Sequence, residues 1–173
     1  MQEVIIIAGP NGAGKTSFAN EYIPAAEEGL AFVNADEVAR ELAHLDLPQA
    51  QLDIRAARAM LERIDKLVQA RMEFMLETTL ASLTYARKIP VWKSLGYTVA
   101  LIYLRLPGVS HAIARVRKRV AAGGHDIPDM TIRRRFARSA KYLEEIYKPI
   151  VDEWYVWDSL EGDFELAEVW YDE

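Results

Sequence analysis

An eight-residue segment near the start of the chain constrains the fold more than any other feature. Residues 9–16 match the pattern G-x-x-x-x-G-K-[ST] at every fixed position. The apolar run at residues 4–8 is typical of a buried strand, and residues 17–22 are typical of the start of a helix. A strand, a glycine-rich loop and a helix in this order predict a phosphate-binding P-loop, whereas an isolated glycine turn would bind nothing. The sequence therefore predicts a nucleoside triphosphate site.

The P-loop residues have distinct expected roles. Successive backbone N–H groups and the N-terminus of the following helix would bind the phosphates. Lys15 is expected to reach the β- and γ-phosphates, and the Thr16 hydroxyl to bind Mg²⁺. A dinucleotide site is disfavoured, because the third glycine of that pattern is missing after Gly14. The candidate nucleotide-binding residues are Gly9, Pro10, Asn11, Gly12, Ala13, Gly14, Lys15, Thr16 and Ser17, with Thr16 also the candidate metal ligand.

The rest of the chain alternates apolar runs with amphipathic segments. This alternation predicts an α/β protein with one P-loop NTPase or kinase domain over residues 1–173, built on a mostly parallel sheet flanked by helices. Two further strands in the tail would form an antiparallel C-terminal edge. The predicted strands are 3–8, 31–33, 74–76, 97–104, 154–157 and 166–170, with a turn at 161–163. The predicted helices are 15–22, 36–43, 49–72, 84–95, 109–122 and 130–147.

Two of the predicted helices carry specific expectations. In helix 49–72 the apolar face is predicted from spacings of three and four residues. In helix 84–95, Pro90 is expected to kink or interrupt the helix, because it lacks an N–H group. The predicted apolar face consists of Ile54, Ala57, Leu61, Ile64 and Val68.

Charge is distributed unevenly along a chain whose net charge is −5. Residues 105–138 carry nine Lys and Arg against Asp126 and Asp129, while the rest carries 12 basic and 24 acidic residues. Such a basic stretch fits a nucleic-acid patch, a solvated helix face or a phosphate clamp. The P-loop elsewhere in the chain favours the clamp, which makes nucleic acid a less expected partner.

Composition also bears on location. The sequence shows no charged-then-apolar leader, and uncharged stretches such as residues 4–14 and 95–104 are too short to span a bilayer. We therefore expect a cytoplasmic protein without a membrane partner. The absence of cysteine excludes disulfides and thiolate metal sites.

The basic stretch also predicts a lid. Arg115 and Arg119 share one helical face, and Arg134 and Arg138 share another. The glycine-containing loop at residues 123–128 would join these two helices into a lid spanning about residues 115–138. Arginines on the lid would stabilise the charge that develops on a transferred phosphoryl group. The helical period prevents all of Arg133, Arg134 and Arg135 from facing the phosphates together.

Polar residues at two other predicted strand ends form the candidate acceptor side. Asp36 follows the second strand, where it is either a helix N-cap or a general base for an acceptor hydroxyl. Arg40, one helical turn later, would hold Asp36 ionised or contact the substrate. Glu77, Thr78 and Thr79 end the third strand, where they would bind a polar acceptor, help order Mg²⁺ through water, or simply reach solvent.

The ordered set of motifs resembles the zeta-toxin family. The set consists of the P-loop, Asn34-Ala35-Asp36-x-x-x-Arg40, Glu77-Thr78-Thr79 and the Arg119-to-Arg135 run, which contains Gly-Gly-His-x-Ile-Pro. The likeness extends from about residue 4 to residue 149 and is closest to the short zeta-like members. Zeta toxins are P-loop kinases that use ATP and Mg²⁺ to phosphorylate the 3′-hydroxyl of the amino sugar in UDP-N-acetylglucosamine, and an antitoxin protein restrains them.

The resemblance implies a role for each matching residue. Asp36 would be the base, Lys15 the phosphate-bridging cation and Thr16 the metal ligand. Glu77 with Thr78 or Thr79 would contact the acceptor, together with Arg40. The lid arginines would be Arg119 and Arg134, and Arg135 is a rival for the second position and a further nucleotide-binding candidate.

Three hypotheses follow from the sequence. The first is a small-molecule kinase that moves the γ-phosphoryl group of ATP to a sugar-nucleotide hydroxyl, with Asp36 as base. The second keeps the fold but transfers the phosphoryl group to a nucleic-acid end or another metabolite. The third is an ATP-gated module that binds a protein through its acidic tail, since residues 149–173 hold nine acidic residues and no Lys or Arg.

Overall fold

A computed structural model describes residues 2–23 and 30–171 of the chain. It contains a six-stranded sheet with the strand order β2-β3-β1-β4-β5-β6. The strands are β1 (Gln2–Ala8), β2 (Ala31–Val33), β3 (Phe74–Thr78), β4 (Tyr97–Arg105), β5 (Glu153–Leu160) and β6 (Asp163–Tyr171). The helices are α1 (Lys15–Tyr22), α2 (Ala35–Leu42), α3 (Gln49–Gln69), α4 (Thr84–Ser94), α5 (Val109–Ala121) and α6 (Asp129–Tyr142). A 3₁₀ turn, Ala43–Leu45, follows α2, and a π-helical turn, Leu143–Tyr147, follows α6.

The sheet places the P-loop between two neighbouring strand ends. Strand β1 pairs in parallel with β3 on one side and with β4 on the other, and Ala8 lies beside both Thr78 and Tyr103. Because parallel strands end at the same edge of a sheet, the P-loop after β1 lies next to the residues that follow β3. The predicted mostly parallel sheet is confirmed, and so is its antiparallel C-terminal edge, which is the β5–β6 pair.

Apolar side chains on the two faces of the sheet build two large buried clusters and a smaller one formed by Ile7, Ala19 and Met75. On one face, Ile64 of α3, Trp92 of α4 and Tyr147 of the π-helical turn pack with buried strand residues. On the other face, Phe18 of α1 and Val116 of α5 belong to a second cluster, which also contains Ala13 of the P-loop. Burial of one such large side chain stabilises the fold by about 1.5–3 kcal/mol. The second core therefore fixes the P-loop directly to the body of the protein.

The structure corrects two expectations about helices. Helix α4 continues through Pro90 without interruption, because the neighbouring Ile89 and Trp92 are buried and hold the helix in place. Helix α3 buries only the C-terminal part of its predicted face, where Ile64 is fully buried and Leu61 and Val68 pack partly buried against the core. Ile54 is 57% exposed and Ala57 is exposed as well. Before Ile64 the buried residues are Ala56 and Met60, which continue its stripe with four-residue spacing.

Two further observations concern the ends of the chain and its helices. The predicted helix 130–147 is helical throughout but changes from α to π hydrogen bonding after Tyr142. The last two acidic residues of the tail lie outside the described residues. No helix within residues 2–23 and 30–171 is long and apolar enough to cross a membrane.

Candidate active site

The P-loop adopts the conformation that its glycines predict. Gly12 and Gly14 have φ angles of 81° and 85°, which residues with a Cβ rarely adopt. Gly14 is the N-cap of α1, and its carbonyl accepts the first helical hydrogen bond from the N–H of Phe18. The N–H groups of the first turn of α1 therefore have no acceptor within the helix and are available to an anion.

Lys15 lies inside the curve of the P-loop. Its Nζ donates hydrogen bonds to the carbonyl oxygens of Gly9 at 2.9 Å and Pro10 at 3.1 Å. Burial lowers the pKa of Lys15 to about 8, although Glu77 and Asp36 act in the opposite direction. The positive charges of Arg119 and Arg135 lower this pKa further. These four charged groups come from four different parts of the chain, and each is near enough to act on the Lys15 ammonium.

Glu77 is a partly buried acidic residue beside the P-loop. It lies on β3 opposite Ile7 of β1, and its Oε1 is buried without a hydrogen-bond partner among the described residues. Burial raises the pKa of Glu77, while the Thr16 hydroxyl and the Lys15 ammonium oppose that shift. A buried carboxylate oxygen without a partner is costly unless a ligand satisfies it.

This arrangement fits a magnesium ion. The described residues contain no group of three or more His, Asp or Glu that would hold a metal ion by themselves. Mg²⁺ usually keeps several waters and takes only one or two protein ligands in addition to substrate phosphates. Thr16 would provide a direct ligand, and the unpartnered Oε1 of Glu77 would accept from a metal-bound water.

The structure resolves the two interpretations of Asp36 in part. Asn34 is the N-cap of α2, and its Oδ1 accepts hydrogen bonds from the N–H groups of Asp36 at 2.7 Å and Glu37 at 3.4 Å. The carboxylate of Asp36 is therefore not needed as the cap. It is exposed and near enough to Lys15 to affect its pKa.

Other candidate acceptor residues have local structural partners. The Nε of Arg40 donates to the backbone carbonyl of Asp36 at 3.4 Å. The Thr78 hydroxyl accepts from the N–H of Leu80 at 3.0 Å, and Leu80 is fully buried with a φ of 59°. This tight turn orders the backbone after Glu77, and the Thr79 side chain is only partly buried beside it. The roles of Arg40, Thr78 and Thr79 toward an acceptor stay predictions.

The arginines of segment 115–138 differ in exposure and in their partners. Arg119 and Arg135 both act on the pKa of Lys15; Arg119 is exposed, whereas Arg135 is partly buried, which lowers its own pKa. Arg133, Arg134 and Arg138 are exposed. Arg115 makes its hydrogen bonds to the backbone of the P-loop and of β5, so it serves a structural purpose that the sequence did not indicate.

Two other basic residues of the stretch 105–138 are paired with acidic residues at the surface. Arg105 forms salt bridges with Asp158 and Glu168, which raise its pKa. Arg117 is paired with Asp129.

An open cavity of about 340 Å³ lies at the ends of β4 and β5. Its walls combine apolar side chains with the Arg105–Asp158 ion pair, and Ser159 joins it to the P-loop through a hydrogen bond to Ala13. No pattern in the sequence indicates this cavity, because its two walls are about 50 residues apart in the chain. The lining residues are Arg105, Leu106, Pro107, Asp158, Ser159 and Leu160.

The fold and the site together define a P-loop protein with a kinase-like fold. A family model for an AAA domain, AAA_33, matches residues 4–144, and the chain belongs to this family. An uncharacterized protein of Haemophilus influenzae (strain ATCC 51907 / DSM 11121 / KW20 / Rd) is 24% identical over 134 residues, which are 78% of this chain and 92% of the relative.

Solved structures share the fold at low sequence identity. The PezAT chromosomal toxin-antitoxin system of Streptococcus pneumoniae matches with a TM-score of 0.67 and 18% identity, over 98% of this chain and 72% of that chain. The AvrRxo1-ORF1:-ORF2 complex with ATP matches with a TM-score of 0.68 and 15% identity, over 99% and 59%. A gluconokinase from Sinorhizobium meliloti 1021 matches with a TM-score of 0.56 and 16% identity, over 92% and 83%.

Proposed function

We propose that the chain is a kinase that transfers the γ-phosphoryl group of ATP to a hydroxyl of a small-molecule acceptor. The observation that carries this proposal is the P-loop with Lys15 Nζ inside its curve, 2.9 Å from the Gly9 carbonyl, next to the unpartnered buried Oε1 of Glu77 on the adjacent strand. The charges of Asp36, Glu77, Arg119 and Arg135 all act on the pKa of Lys15, which agrees with this arrangement. A P-loop alone would bind a nucleotide. A carboxylate and two arginines around its lysine add the groups that phosphoryl transfer requires. The ATP-bound structure and the gluconokinase among the matches support the same class of reaction.

The proposed mechanism assigns one task to each group. Asp36 accepts the proton of the acceptor hydroxyl while that oxygen forms a bond to the γ-phosphorus. The bond between the γ-phosphorus and the β–γ bridging oxygen breaks, and ADP leaves. Lys15 contacts the β- and γ-phosphates, and the arginines stabilise the negative charge on the transferred group. Bound Mg²⁺, held by Thr16 and through water by Glu77, would neutralise charge on the phosphate oxygens.

Two further assignments complete the proposed site. Arg119 and Arg135 are the lid arginines, because both act on Lys15. Arg134, which is exposed on the same helix as Arg135, is the alternative to it as the second lid arginine. The base of the nucleotide would lie in the cavity at the ends of β4 and β5, which adjoins the P-loop through Ser159.

UDP-N-acetylglucosamine is the acceptor that the resemblance to zeta toxins proposes. The PezAT match, which is a toxin-antitoxin system, supports testing it first, and supports a protein antitoxin as a candidate partner. A nucleic-acid end is less well supported. Arg105 and Arg117 are paired with acidic residues and Arg115 is turned inward, which removes three of the nine basic residues of segment 105–138 from a track for a nucleic-acid backbone.

The proposal is tested by incubation with ATP, Mg²⁺ and UDP-N-acetylglucosamine, followed by mass spectrometry. The wild-type protein should yield a product heavier by one phosphoryl group, and Asp36→Ala should yield none while it still binds ATP. Glu37→Ala is the matched control, because Glu37 is an exposed acidic residue in the same turn of α2. Transfer by Asp36→Ala at the wild-type rate would refute the assignment of the base.

A further inference from the structure

The β5–β6 hairpin lies against the P-loop from outside the family-matched segment. The family match ends at residue 144, whereas the hairpin begins at Glu153. Ser159 of β5 is 1% exposed, and its Oγ donates a hydrogen bond of 2.8 Å to the carbonyl of Ala13. This bond joins two residues that are 146 positions apart in the sequence. A segment beyond the family match therefore completes the surroundings of the phosphate-binding loop.

Arg115 of α5 joins the same network from a third direction. Its Nη1 donates to Ser159 Oγ at 2.8 Å and to the carbonyl of Gly12 at 3.3 Å. Its Nη2 donates to the carbonyls of Ser159 at 3.3 Å and Leu160 at 3.0 Å. The guanidinium thus holds the P-loop and the end of β5 together through backbone atoms.

The network restricts which way the P-loop peptides point. No peptide bond of the described residues is cis, so the C=O of each residue points opposite to the N–H of the next. When Ser159 holds the carbonyl of Ala13, the N–H of Gly14 is directed to the other side of the loop. Arg115 holds the carbonyl of Gly12 in the same way, and the N–H of Ala13 opposite it donates to the carbonyl of Pro10 at 3.1 Å, which closes the turn of the loop. Oriented N–H groups on one side are what a phosphate-binding loop needs.

An aromatic contact from the hairpin reinforces this arrangement. A Cβ added at Gly14 would lie 3.2 Å from Cζ of Phe164, so the β6 ring already occupies that space. Phe164 also packs edge-on against Phe18 of α1, with ring centroids 5.1 Å apart. The hairpin therefore contacts both the loop and the helix that the loop begins.

We infer that Ser159 and Arg115 are positioning residues that orient the P-loop for the phosphates of the nucleotide. The inference rests on the proposed function, because it assumes that the loop binds a nucleoside triphosphate. Neither side chain needs to touch the nucleotide, since both act through the carbonyls of Gly12 and Ala13.

The test compares two buried serines. Ser159→Ala removes the bond to Ala13, and Ser139→Ala is the matched control because Ser139 is fully buried and hydrogen-bonded to Tyr103 at 2.9 Å. ATP affinity is measured by calorimetry, and amide hydrogen exchange of residues 9–16 is measured without nucleotide. We expect Ser159→Ala to weaken ATP binding roughly fivefold or more and to accelerate exchange in the loop. Ser139→Ala should change neither by more than about twofold.

A second pair of variants covers the case in which Ser159→Ala folds poorly. Arg115→Met should weaken ATP binding as Ser159→Ala does, whereas Arg117→Met, an exposed arginine two residues away, should not. Wild-type affinity in both Ser159→Ala and Arg115→Met would overturn the inference, and so would equal losses in the test and control variants. Absence of ATP binding by the wild-type protein would instead refute the proposed function, and the inference with it.

Discussion

Gly124 lies directly against Arg119. Its N–H donates a 2.9 Å hydrogen bond to the carbonyl of Arg119. A Cβ added at Gly124 would lie 2.6 Å from Cγ and 2.9 Å from the carbonyl oxygen of Arg119. The space beside this arginine is therefore occupied by a residue without a side chain.

This contact predicts that Gly124→Ala displaces Arg119. Neither the side chain nor the backbone of Arg119 has room for a methyl group at that position, so the charge that faces Lys15 would shift. We expect kcat for phosphoryl transfer to fall roughly 10-fold or more. ATP affinity should change little, and both are measured in steady-state assays with calorimetry alongside.

Gly108→Ala is the control for this prediction. Gly108 also precedes a charged segment, but an added Cβ would meet only the His111 ring, at 4.0 Å. Equal losses of kcat in the two glycine variants would show that Arg119 is not the cause.

Arg135 and Arg134 provide a matched pair of neighbouring arginines. Arg135 is partly buried and affects the pKa of Lys15, whereas Arg134 is exposed. Arg135→Ala should lower kcat by about 10²-fold, because it removes a positive charge that stabilises the negative charge on the transferred phosphoryl group. Arg134→Ala should change kcat by less than about threefold. A larger loss in Arg134→Ala would reverse the assignment of the second lid arginine.

Glu77→Gln separates the charge of this residue from its shape. Burial raises the pKa of Glu77, so the folded protein bears a cost for keeping the carboxylate ionised. We expect the glutamine variant to be as stable as the wild-type protein or more stable, as measured by thermal unfolding. Transfer should nevertheless weaken and require more Mg²⁺ for half-maximal rate. A fall in stability together with an unchanged Mg²⁺ requirement would contradict a role in holding the metal.

The lowered pKa of Lys15 predicts that ATP binding is coupled to proton uptake. Its pKa of about 8 in the folded protein lies below the value in the unfolded chain. The folded state therefore binds fewer protons between these two values, and the contribution of Lys15 to stability rises with pH in that window. Phosphates beside the amine would raise its pKa again. Calorimetry at about pH 8.5, in two buffers of different ionisation enthalpy, should reveal uptake of most of one proton.

The pH dependence of this uptake is its own control. At about pH 7 Lys15 is already protonated, so ATP binding should be accompanied by the uptake of far fewer protons than at about pH 8.5. Affinity should correspondingly fall as the pH rises above 8. Equal proton uptake at the two pH values would mean that a group other than Lys15 changes its protonation when ATP binds.

Local patterns in the sequence predicted the fold well. The P-loop, the order of strands and helices and the antiparallel C-terminal edge depend on spacing and turn residues, which act over a few positions. The buried face of α3 was harder to predict, because two apolar stripes of this helix overlap. Only packing against the rest of the protein decides that Met60 is buried and Ile54 is exposed. The helix around Pro90 likewise persists because of burial, which no local rule includes.

The site was only partly predictable, for a related reason. From its position in the sequence, Asp36 was equally suited to be a helix cap or a general base. In the structure the side chain of Asn34 caps α2, so Asp36 is not needed as the cap. A helical period could not choose between Arg134 and Arg135, since that choice depends on the contacts of α6. Ser159 carried no signal at all, because its partner Ala13 is at the other end of the chain.

The most direct test of the account is a phosphoryl-transfer assay with γ-labelled ATP and Mg²⁺. The acceptors would be UDP-N-acetylglucosamine, other UDP-sugars, free sugars and single-stranded nucleic acids with 5′-hydroxyl ends, and Asp36→Asn would be assayed in parallel. The account predicts labelled phosphoester on a small-molecule hydroxyl, with a rate at least about 10²-fold lower in Asp36→Asn and ATP affinity unchanged. ATP binding by the wild-type protein without label on any acceptor, or label only on nucleic acid, would contradict it.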